Sequence, residues 1–370
     1  MLVKTDYKDR NNSIYKCDMC DKEIKNKHIT RYQKFIYSNK SRYSRFTNID
    51  KFDLCPRCEK FLNKMMIKMK EKVKESDSMK YLESPIFYMG NKYKLLKQLI
   101  PLFPNECDVF LDLFGGSGVV SMNYKGTYKT IYNEFNTNIS ELVKMFKEND
   151  VEQLDDYFNS KIKEYNICCT GKDFREHLEL QKGYYNFRKY YNNSKSKDKK
   201  DLYLLSCYSM NHLIRFNKNN EFNASCGSTQ RYIKEKIVNM HDNMQNVEIL
   251  NKNCFDIDFN SLNENDFVYC DPPYLNTKAV YNEKRAFGGW NIDDDYKLFD
   301  ILEKLNDKGI KWGLSNVFVN RGKENTHLIE WCNKNNWNVY HLNRNYNPFS
   351  RGNSNNDEVY ICNYEIDVEG

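Results

Sequence analysis

The sequence predicts an open α/β sheet that is interrupted by a helical insert and preceded by a small cysteine-containing module. Apolar strand patterns alternate with amphipathic helical patterns, and a glycine-rich turn follows one of the strands. A long polar stretch with helical character then separates this first part of the sheet from the second. We therefore expect a module at 1–78, a sheet domain at 79–150 and 252–370, and an insert at 151–251.

Composition indicates a globular protein. The chain has 370 residues, of which 40% are hydrophobic and 29% charged. No apolar run reaches the roughly 18 residues of a membrane-spanning helix, and the start of the chain lacks the apolar core of a signal peptide. We expect a cytoplasmic protein without a membrane partner. The 13 cysteines, an odd number, indicate reduced thiols or metal ligands, and the net charge of +6 suits a polyanion only where basic residues cluster.

Two Cys-x-x-Cys pairs occupy the first module, formed by Cys17 with Cys20 and by Cys55 with Cys58. Four thiolates make the tetrahedral ligand set of a structural zinc site and leave no position for a catalytic water. A redox dithiol needs one pair only, and four unrelated buried cysteines would not explain the repeated spacing. We predict a structural zinc module, followed by a helix over 59–75.

A nucleoside-binding pattern opens the sheet domain. An amphipathic helix over 95–100 precedes a strand that runs into Gly115-Gly116, where glycines let a ligand approach the backbone. The next strand, Thr130–Asn133, ends at Glu134, about 20 positions after the turn, where an acidic residue meets ribose hydroxyls. The turn lacks the Gly-Lys-Ser/Thr of a phosphate loop and the full Gly-x-Gly-x-x-Gly of a nicotinamide site. S-adenosylmethionine, which carries no phosphate, fits best among the common nucleoside cofactors.

The most informative motif is Asp271-Pro272-Pro273-Tyr274, directly after the apolar run 267–270. An amino nitrogen conjugated with a ring is a poor nucleophile, so an enzyme that alkylates it gains from acceptors for its protons. The Asp271 carboxylate and the Pro272 carbonyl are such acceptors, and Tyr274 offers a face on which a flipped base can stack. Taken alone, the tetrapeptide also fits a strand that ends in a stiff proline turn.

The insert and the remaining strands complete the pattern. An aromatic and basic cluster at 184–191 suits phosphate contact and base stacking, and its alternative is a tyrosine-rich helical face. Strand patterns resume at 310–315, 337–342 and 358–362. In an open α/β sheet, ligands bind at the carboxyl ends of strands, where both the glycine turn and Asp271 are expected.

Together, and in this order, the motifs resemble the Dam-type (D12 class) family of site-specific DNA adenine N6-methyltransferases. Their joint occurrence is highly specific, and the four-cysteine module lies outside the resemblance. The matching segments are Tyr88–Lys92, Phe110–Gly116, Asn211–Asn217, Glu221–Asn223, Val268–Tyr274, Leu314–Asn316 and Asp357–Tyr360.

The resemblance implies a Rossmann-like, S-adenosylmethionine-dependent methyltransferase sheet with a helical target-recognition insert. It implies methyl transfer to the exocyclic N6 amino group of adenine in double-stranded DNA, with the base flipped into a site formed by Asp271, Pro272 and Tyr274. At the Glu134 position the family usually has Asp. The cofactor-binding residues that it implies are Tyr88, Lys92, Asp112, Phe114, Gly115, Gly116, Glu134 and Asp271.

The resemblance also implies a DNA-reading hairpin in the insert. Its DNA-binding residues would be Leu213, Arg215 and Asn217, with GATC or a related site as the target. Arg231 is the nearby candidate to replace the family's basic residue that this chain lacks. The segment 224–228 departs from the family, which usually continues with an apolar residue, Pro, Phe, Gly and a basic residue. A cognate restriction endonuclease is a candidate partner, and the oligomeric state is left open.

Two alternatives of other classes stay open. Methylation of RNA or of a protein glutamine would use a similar tetrapeptide, because any planar amide or amine suits it, but the large basic and aromatic insert favours DNA. A non-catalytic, zinc-containing DNA-binding regulator is disfavoured by the intact tetrapeptide and glycine turn. Cytosine-ring methylation through a thiolate is disfavoured too, because the sequence lacks Pro-Cys in the setting of a nucleophile, and Cys270 is expected to be a buried strand residue.

Overall fold

The chain divides into two compact units, Met1–Lys80 and Tyr81–Gly370, each described here by itself. In the second unit the computed structural model describes residues 81–88, 90–167, 174–227, 232–275, 289–320, 322–342 and 356–366, and in the first the backbone of five strands. Arg231, the helix expected over 59–75, and the predicted zinc ligands Cys17, Cys20, Cys55 and Cys58 lie outside the described residues.

The described part of the first unit is made of antiparallel strands. The order in its three-stranded sheet is β1-β4-β5, and β2 pairs with β3. These strands are β1 (Leu2–Asp6), β2 (Tyr15–Lys16), β3 (Glu23–Ile24), β4 (Thr30–Tyr37) and β5 (Phe46–Leu54).

The second unit is built on a mostly parallel eight-stranded sheet, which confirms the predicted α/β class. Its order is β12-β13-β10-β9-β6-β7-β8, with β11 paired to β10. Within the group β6 to β10, each pair of neighbouring strands is parallel. Strand β13 is antiparallel to both of its neighbours, β10 and β12. The strands are β6 (Cys107–Asp112), β7 (Thr127–Asn133), β8 (Val247–Leu250), β9 (Phe267–Cys270), β10 (Lys311–Asn320), β11 (Lys323–Glu324), β12 (Asn338–Leu342) and β13 (Asp357–Cys362).

Several helices start where the sequence supplies a side-chain cap. Asn136, Asp150 and Asp198 each accept a first-turn N–H of the helix that follows them. The helix expected over 95–100 is shorter, because Pro101 lacks an N–H and the segment continues as a 3-10 turn. No helix among the described residues is long and apolar enough to cross a membrane. The helices are α1 (Leu96–Leu99), α2 (Val119–Asn123), α3 (Thr137–Glu148), α4 (Val151–Glu164), α5 (Phe174–Asn193), α6 (Lys199–Tyr208), α7 (Lys234–Met244), α8 (Ile292–Asp307) and α9 (Thr326–Asn335).

Apolar side chains on both faces of the sheet are buried, as a parallel sheet requires. Alternate strand residues pack against α8 and α9 around Trp312 on one face, and against α1 and α2 around Phe110 on the other. Helices α3 to α7 enclose a third apolar cluster. Tyr184, Phe187 and Tyr191 belong to that cluster, so this part of the predicted aromatic surface is core.

Candidate active site

The loops after β6 and β9 leave the sheet where its strand order reverses. From β6 the chain continues to β7 on one side, whereas β9 and β10 lie on the other side. The two loops diverge and leave a crevice at the carboxyl ends of the strands, the usual ligand site of such sheets. As expected, Gly115-Gly116 and Asp271 both follow strands that border this crevice.

The glycine turn packs tightly against aromatic rings. A Cβ atom on Gly115 would lie 2.2 Å from the ring of Tyr132, which is fully buried. Gly116 has a φ of +51°, and a Cβ atom there would lie 3.3 Å from the ring of Tyr88. The Tyr132 hydroxyl donates to the Gly116 carbonyl over 2.6 Å. The turn therefore presents bare backbone beside the Tyr88 ring.

Glu134, which follows β7, ties the glycine turn to the next loop. Its Oε2 accepts the N–H of Gly116 over 2.9 Å, and its Oε1 accepts the N–H of Asn136 over 2.7 Å. A carboxylate accepts at about four lone-pair positions, so holding the turn is compatible with contacts to hydroxyl groups of a ligand. The extra methylene relative to Asp suits this bridging position.

Asp112, at the end of β6, has a buried carboxyl group that is only half satisfied. Its Oδ2 accepts from the Ser121 hydroxyl over 2.6 Å, whereas its Oδ1 has no hydrogen-bond partner among the described residues. Burial, opposed by the Ser121 hydrogen bond and supported by the charge of Asp271, raises the pKa of Asp112 to about 7. A buried acceptor of this kind fits the cationic donor of a ligand.

Asp271 is held by Lys92 and Tyr274. Lys92 Nζ lies 2.6 Å from both carboxylate oxygens, and the Tyr274 hydroxyl donates to Oδ1 over 3.1 Å. The same Nζ lies 5.1 Å from the centroid of the Tyr274 ring and 4.0 Å from Glu358 Oε1. The Lys92 side chain is 3% exposed and that of Asp271 is 19% exposed. The carboxylate is therefore the member of the pair that faces solvent.

This arrangement brings a hydrogen-bond acceptor and an aromatic ring together. An amino group on a flat ring can donate to Asp271 while the ring lies on Tyr274. Pro272 is buried, which fixes the turn between them. Burial also raises the pKa of Cys270 well above its ordinary value, so this thiol is not an activated nucleophile, as expected.

Sequence reasoning missed an aromatic group beside Phe114. The rings of Phe114 and Trp290 meet edge to face with centroids 5.5 Å apart, and Trp290 lies nearly parallel to Phe255 at 5.7 Å. Phe255 belongs to a 3-10 turn after β8, and Trp290 lies just before α8. The available signal was position, because Phe255 also follows the carboxyl end of a strand.

Three of the four residues expected to read DNA, Leu213, Arg215 and Asn217, lie on a β-ribbon between α6 and α7, hereafter the ribbon (residues 208–227). Two isolated bridges, Ser209 with Cys226 and Phe216 with Phe222, pair its arms, and its tip at 218–220 is exposed. The ribbon is anchored to α5, because the Ala224 carbonyl accepts both the Tyr184 hydroxyl at 3.0 Å and Arg188 Nη1 at 2.9 Å. Ala224 is itself buried in the helical core cluster, which gives residue 224 a packing role.

The predicted contact residues differ in their exposure. Arg215 donates through Nε and Nη2 to Asn223, at 2.9 Å in each case, so one edge of its guanidinium group is engaged within the ribbon. Asn217 accepts two backbone N–H groups of the tip. Leu213 is half-buried against the helical core cluster.

S-adenosylmethionine fits the residues that surround the glycine turn. The unsatisfied Asp112 Oδ1 suits its ammonium group, the bare backbone at Gly116 allows close approach, and Glu134 stands where ribose hydroxyls are held in such sheets. The mostly parallel sheet and this site are those of an S-adenosylmethionine-dependent methyltransferase. A family model of D12 class N6 adenine-specific DNA methyltransferases matches residues 88–347, and the chain belongs to that family.

Curated relatives agree with the family. The chain is 37% identical over 315 residues to the modification methylase StsI of Streptococcus sanguinis, covering 82% of this chain and 46% of that protein. It is 38% identical over 295 residues to the type II methyltransferase M.FokI of Planomicrobium okeanokoites, covering 77% and 43%. A DNA adenine methylase of Haemophilus influenzae is 24% identical over 209 residues, covering 55% and 66%. The chain thus spans less than half the length of the first two.

Proposed function

We propose that this chain is a site-specific DNA methyltransferase that transfers the methyl group of S-adenosylmethionine to the N6 amino group of adenine in double-stranded DNA. The observation that carries the proposal is the grouping of Lys92, Asp271 and Tyr274 at the end of β9, one strand away from the glycine turn. Family membership supports adenine as the target, and relatives named as modification methylases support site specificity.

Tyr274 and the proline turn receive the target base in this proposal. The amino group of a stacked adenine is out of reach, so the base flips out and lies on Tyr274. Stacking on an aromatic ring contributes about 1–3 kcal/mol, which offsets part of the cost of unstacking. The Asp271 carboxylate and the Pro272 carbonyl then accept the amino hydrogens, which aims the nitrogen lone pair out of the ring plane.

Asp271 also removes the proton that the amino nitrogen loses in the reaction. When bound, the cofactor would supply a methyl group activated by its sulfonium centre, whose sulfur would keep the electron pair of the broken S–C bond as a neutral thioether. As the new N–C bond forms, the nitrogen carries one surplus proton, which Asp271 takes or passes to water. Before this proton transfer, the ammonium group of Lys92 compensates the charge of Asp271. Lys92 Nζ also orients the carboxylate, because it lies 2.6 Å from Asp271 Oδ2. Most of the rate gain comes from this orientation.

Tritiated methyl transfer to duplex DNA, RNA and protein, assayed side by side, tests the proposal. We expect label in DNA adenine only, abolished by Asp271→Ala and unchanged by Asp300→Ala, which removes an exposed carboxylate of α8. Label on RNA or on protein glutamine alone would favour the alternative substrates. A wild-type protein that binds DNA but transfers no label would favour the non-catalytic regulator.

We propose residues 151–251 as the target-recognition insert and the ribbon as its reading element, with GATC or a related site as the target. Arginine pairs with guanine through two hydrogen bonds. In this proposal the Arg215 guanidinium group turns away from Asn223 on binding, so that its donors can reach a guanine. Leu213, Asn217 and Arg231 are the further contacts proposed. Sequencing of methylated adenines in DNA from cells that express the chain identifies the site, and Arg215→Ala should relax it at one guanine position.

We also propose the zinc site of the first unit and a restriction endonuclease partner. The repeated spacing of the cysteine pairs supports a structural zinc ion, and the type II relatives support a cognate nuclease. Native mass spectrometry should find one zinc ion per chain, lost when Cys55 and Cys58 are both replaced by Ser. Metal-free protein with an intact fold would reject the zinc site.

A further inference from the structure

Trp290, Asp295 and His327 form a hydrogen-bonded group close to the glycine turn. Trp290 Nε1 donates to Asp295 Oδ1 over 2.7 Å, and His327 Nε2 lies 2.7 Å from Asp295 Oδ2. Asp295 is 2% exposed. One oxygen of the buried Asp295 carboxylate thus holds the Trp290 indole, and the other is engaged by His327, which fixes the carboxylate.

The carboxylate that accepts from Trp290 is more deeply buried than the one that accepts from Trp331, because Asp295 is 2% exposed whereas Glu303 is half-buried. Burial of a carboxylate costs free energy that an apolar neighbour would avoid. Trp331 provides the comparison, because its Nε1 donates to Glu303 over 2.7 Å while its ring is 7% exposed and stacks on Phe299. Trp290 is less buried, and it lies where loops meet.

The position of the Trp290 ring points to one part of the crevice. It lies at 19° to the ring of Phe255, which follows β8, and edge-on to Phe114, which precedes the glycine turn. Strand β8 neighbours β7, whose end carries Glu134. The Phe114, Phe255 and Trp290 rings therefore form one group beside the glycine turn, which follows β6, whereas Asp271 follows β9.

We propose that Trp290 contacts the adenine ring of S-adenosylmethionine and that Asp295 and His327 are positioning residues for its indole. The inference rests on the proposed methyltransferase function. An adenine ring is present in both the cofactor and the target base, and the contact of Trp290 with Phe114, which directly precedes the glycine turn, favours the cofactor. Aromatic side chains bind flat heterocycles by stacking or edge contact.

Fluorescence and calorimetric titration of the full chain with S-adenosylhomocysteine, an unreactive probe with the same adenine ring, tests this proposal. The chain has four tryptophans, so Trp290→Phe isolates the emission of one. We expect a change of emission on binding that is lost in Trp290→Phe, and no change with methionine alone. The Kd should rise about tenfold in Trp290→Leu and Asp295→Ala, which corresponds to about 1.4 kcal/mol. Asp295→Asn keeps an acceptor for the indole and should retain most of the affinity.

Glu303→Ala is the matched control, because Glu303 lies in α8 as Asp295 does and its carboxylate accepts the indole N–H of another tryptophan, Trp331. It should lower Tm and leave the Kd unchanged. An unchanged Kd in Asp295→Ala and Trp290→Leu, or an emission change that survives in Trp290→Phe, would overturn the proposal. Emission that responds to duplex DNA and not to the probe would assign the ring to the target base, which also overturns it. If Asp295→Ala does not fold, the two Trp290 variants decide. A wild-type chain that does not bind the probe would defeat the proposed function, and this inference with it.

Discussion

The carboxyl group of Asp112 links protonation to stability at a single residue. Its pKa is about 7 in the folded chain, compared with 3.8 ordinarily, mainly because the group is buried. Between these values the folded protein holds a proton that the unfolded chain has released. The contribution of Asp112 to stability is therefore fully present below about pH 4 and is lost as the pH rises through about 7.

Asp112→Asn should remove this pH dependence. The amide oxygen still accepts from Ser121 and does not ionise, so we expect the variant to be more stable than wild type at pH 8, by on the order of 2–4 kcal/mol. The difference should vanish near pH 4. Thermal unfolding without cofactor measures it, with Asp300→Asn as the control. Parallel curves for wild type and Asp112→Asn would contradict the raised pKa.

Lys92 should affect catalysis more than cofactor binding, since its two shortest contacts are with Asp271. Lys92→Met keeps most of the stem and removes the cation, which leaves the carboxylate misplaced and its charge uncompensated. We expect kcat to fall about 100-fold, as misplacement of a reacting group does. Steady-state methylation and calorimetry with S-adenosylhomocysteine separate the two effects. Lys94→Met, at an exposed position of the same segment, should match wild type.

At the scale of elements, the left-handed backbone of Gly116 and its missing side chain together let a ligand approach the glycine turn. Gly116 and Gly322 both have a left-handed φ, +51° and +75°, but only Gly116 has a ring near its Cβ position. We expect alanine at either position to cost about 1 kcal/mol of stability. Only Gly116→Ala should also weaken S-adenosylhomocysteine binding. Equal affinities of the two variants in calorimetry would show that the turn does not contact the cofactor.

The ribbon depends on one side-chain amide of α5. Asn192 accepts the N–H of Phe222 at 2.8 Å and donates to its carbonyl at 3.0 Å. Asn192→Ala leaves both groups without these bonds, so we expect a loss of about 2 kcal/mol of stability and weaker discrimination between DNA sites. Unfolding by urea and competition methylation measure the two effects. Asn193→Ala, next to it and exposed, should leave both unchanged.

Elements with continuous apolar runs were predictable, whereas others were not. The expected span 267–270 is β9, because burial on both faces selects apolar residues throughout. The strand expected over Thr130–Asn133 ends as β7 does but begins three residues earlier, at Thr127, because the first part of β7 is exposed and polar. Strand β8 was missed, since it has only four residues, with an exposed Glu248 among them. Three of the five aromatic residues at 184–191 proved to be core, as their helical spacing allows.

The site was predictable as a set of motifs but not as a set of contacts. Motif order indicated which strand ends carry ligands, and the sheet topology places those ends together. The contact between Lys92 and Asp271 joins residues 179 positions apart, and such a pairing depends on strand register that local patterns do not encode. Asp295 escaped notice because a carboxylate in the first turn of a helix usually serves as a cap.

At the scale of the whole molecule, the division after Lys80 predicts that the second unit folds alone. Its sheet and three apolar clusters are formed within residues 81–370. We expect a protein limited to those residues to unfold cooperatively and to bind S-adenosylhomocysteine with the affinity of the full chain. Calorimetry measures both, and a protein without a cooperative transition would show that the first unit is required for folding.

The central position of β6 has a consequence for synthesis. Its partners are β7, which follows it closely, and β9, which the ribosome completes only after residues 134–266. Until then one edge of an apolar strand has no partner, and unpaired edges promote association between chains. A polypeptide that stops before Phe267 therefore lacks both the β9 partner of β6 and the Asp271 acceptor for an amino group. We expect interrupted translation to produce aggregates rather than a partly active methylase.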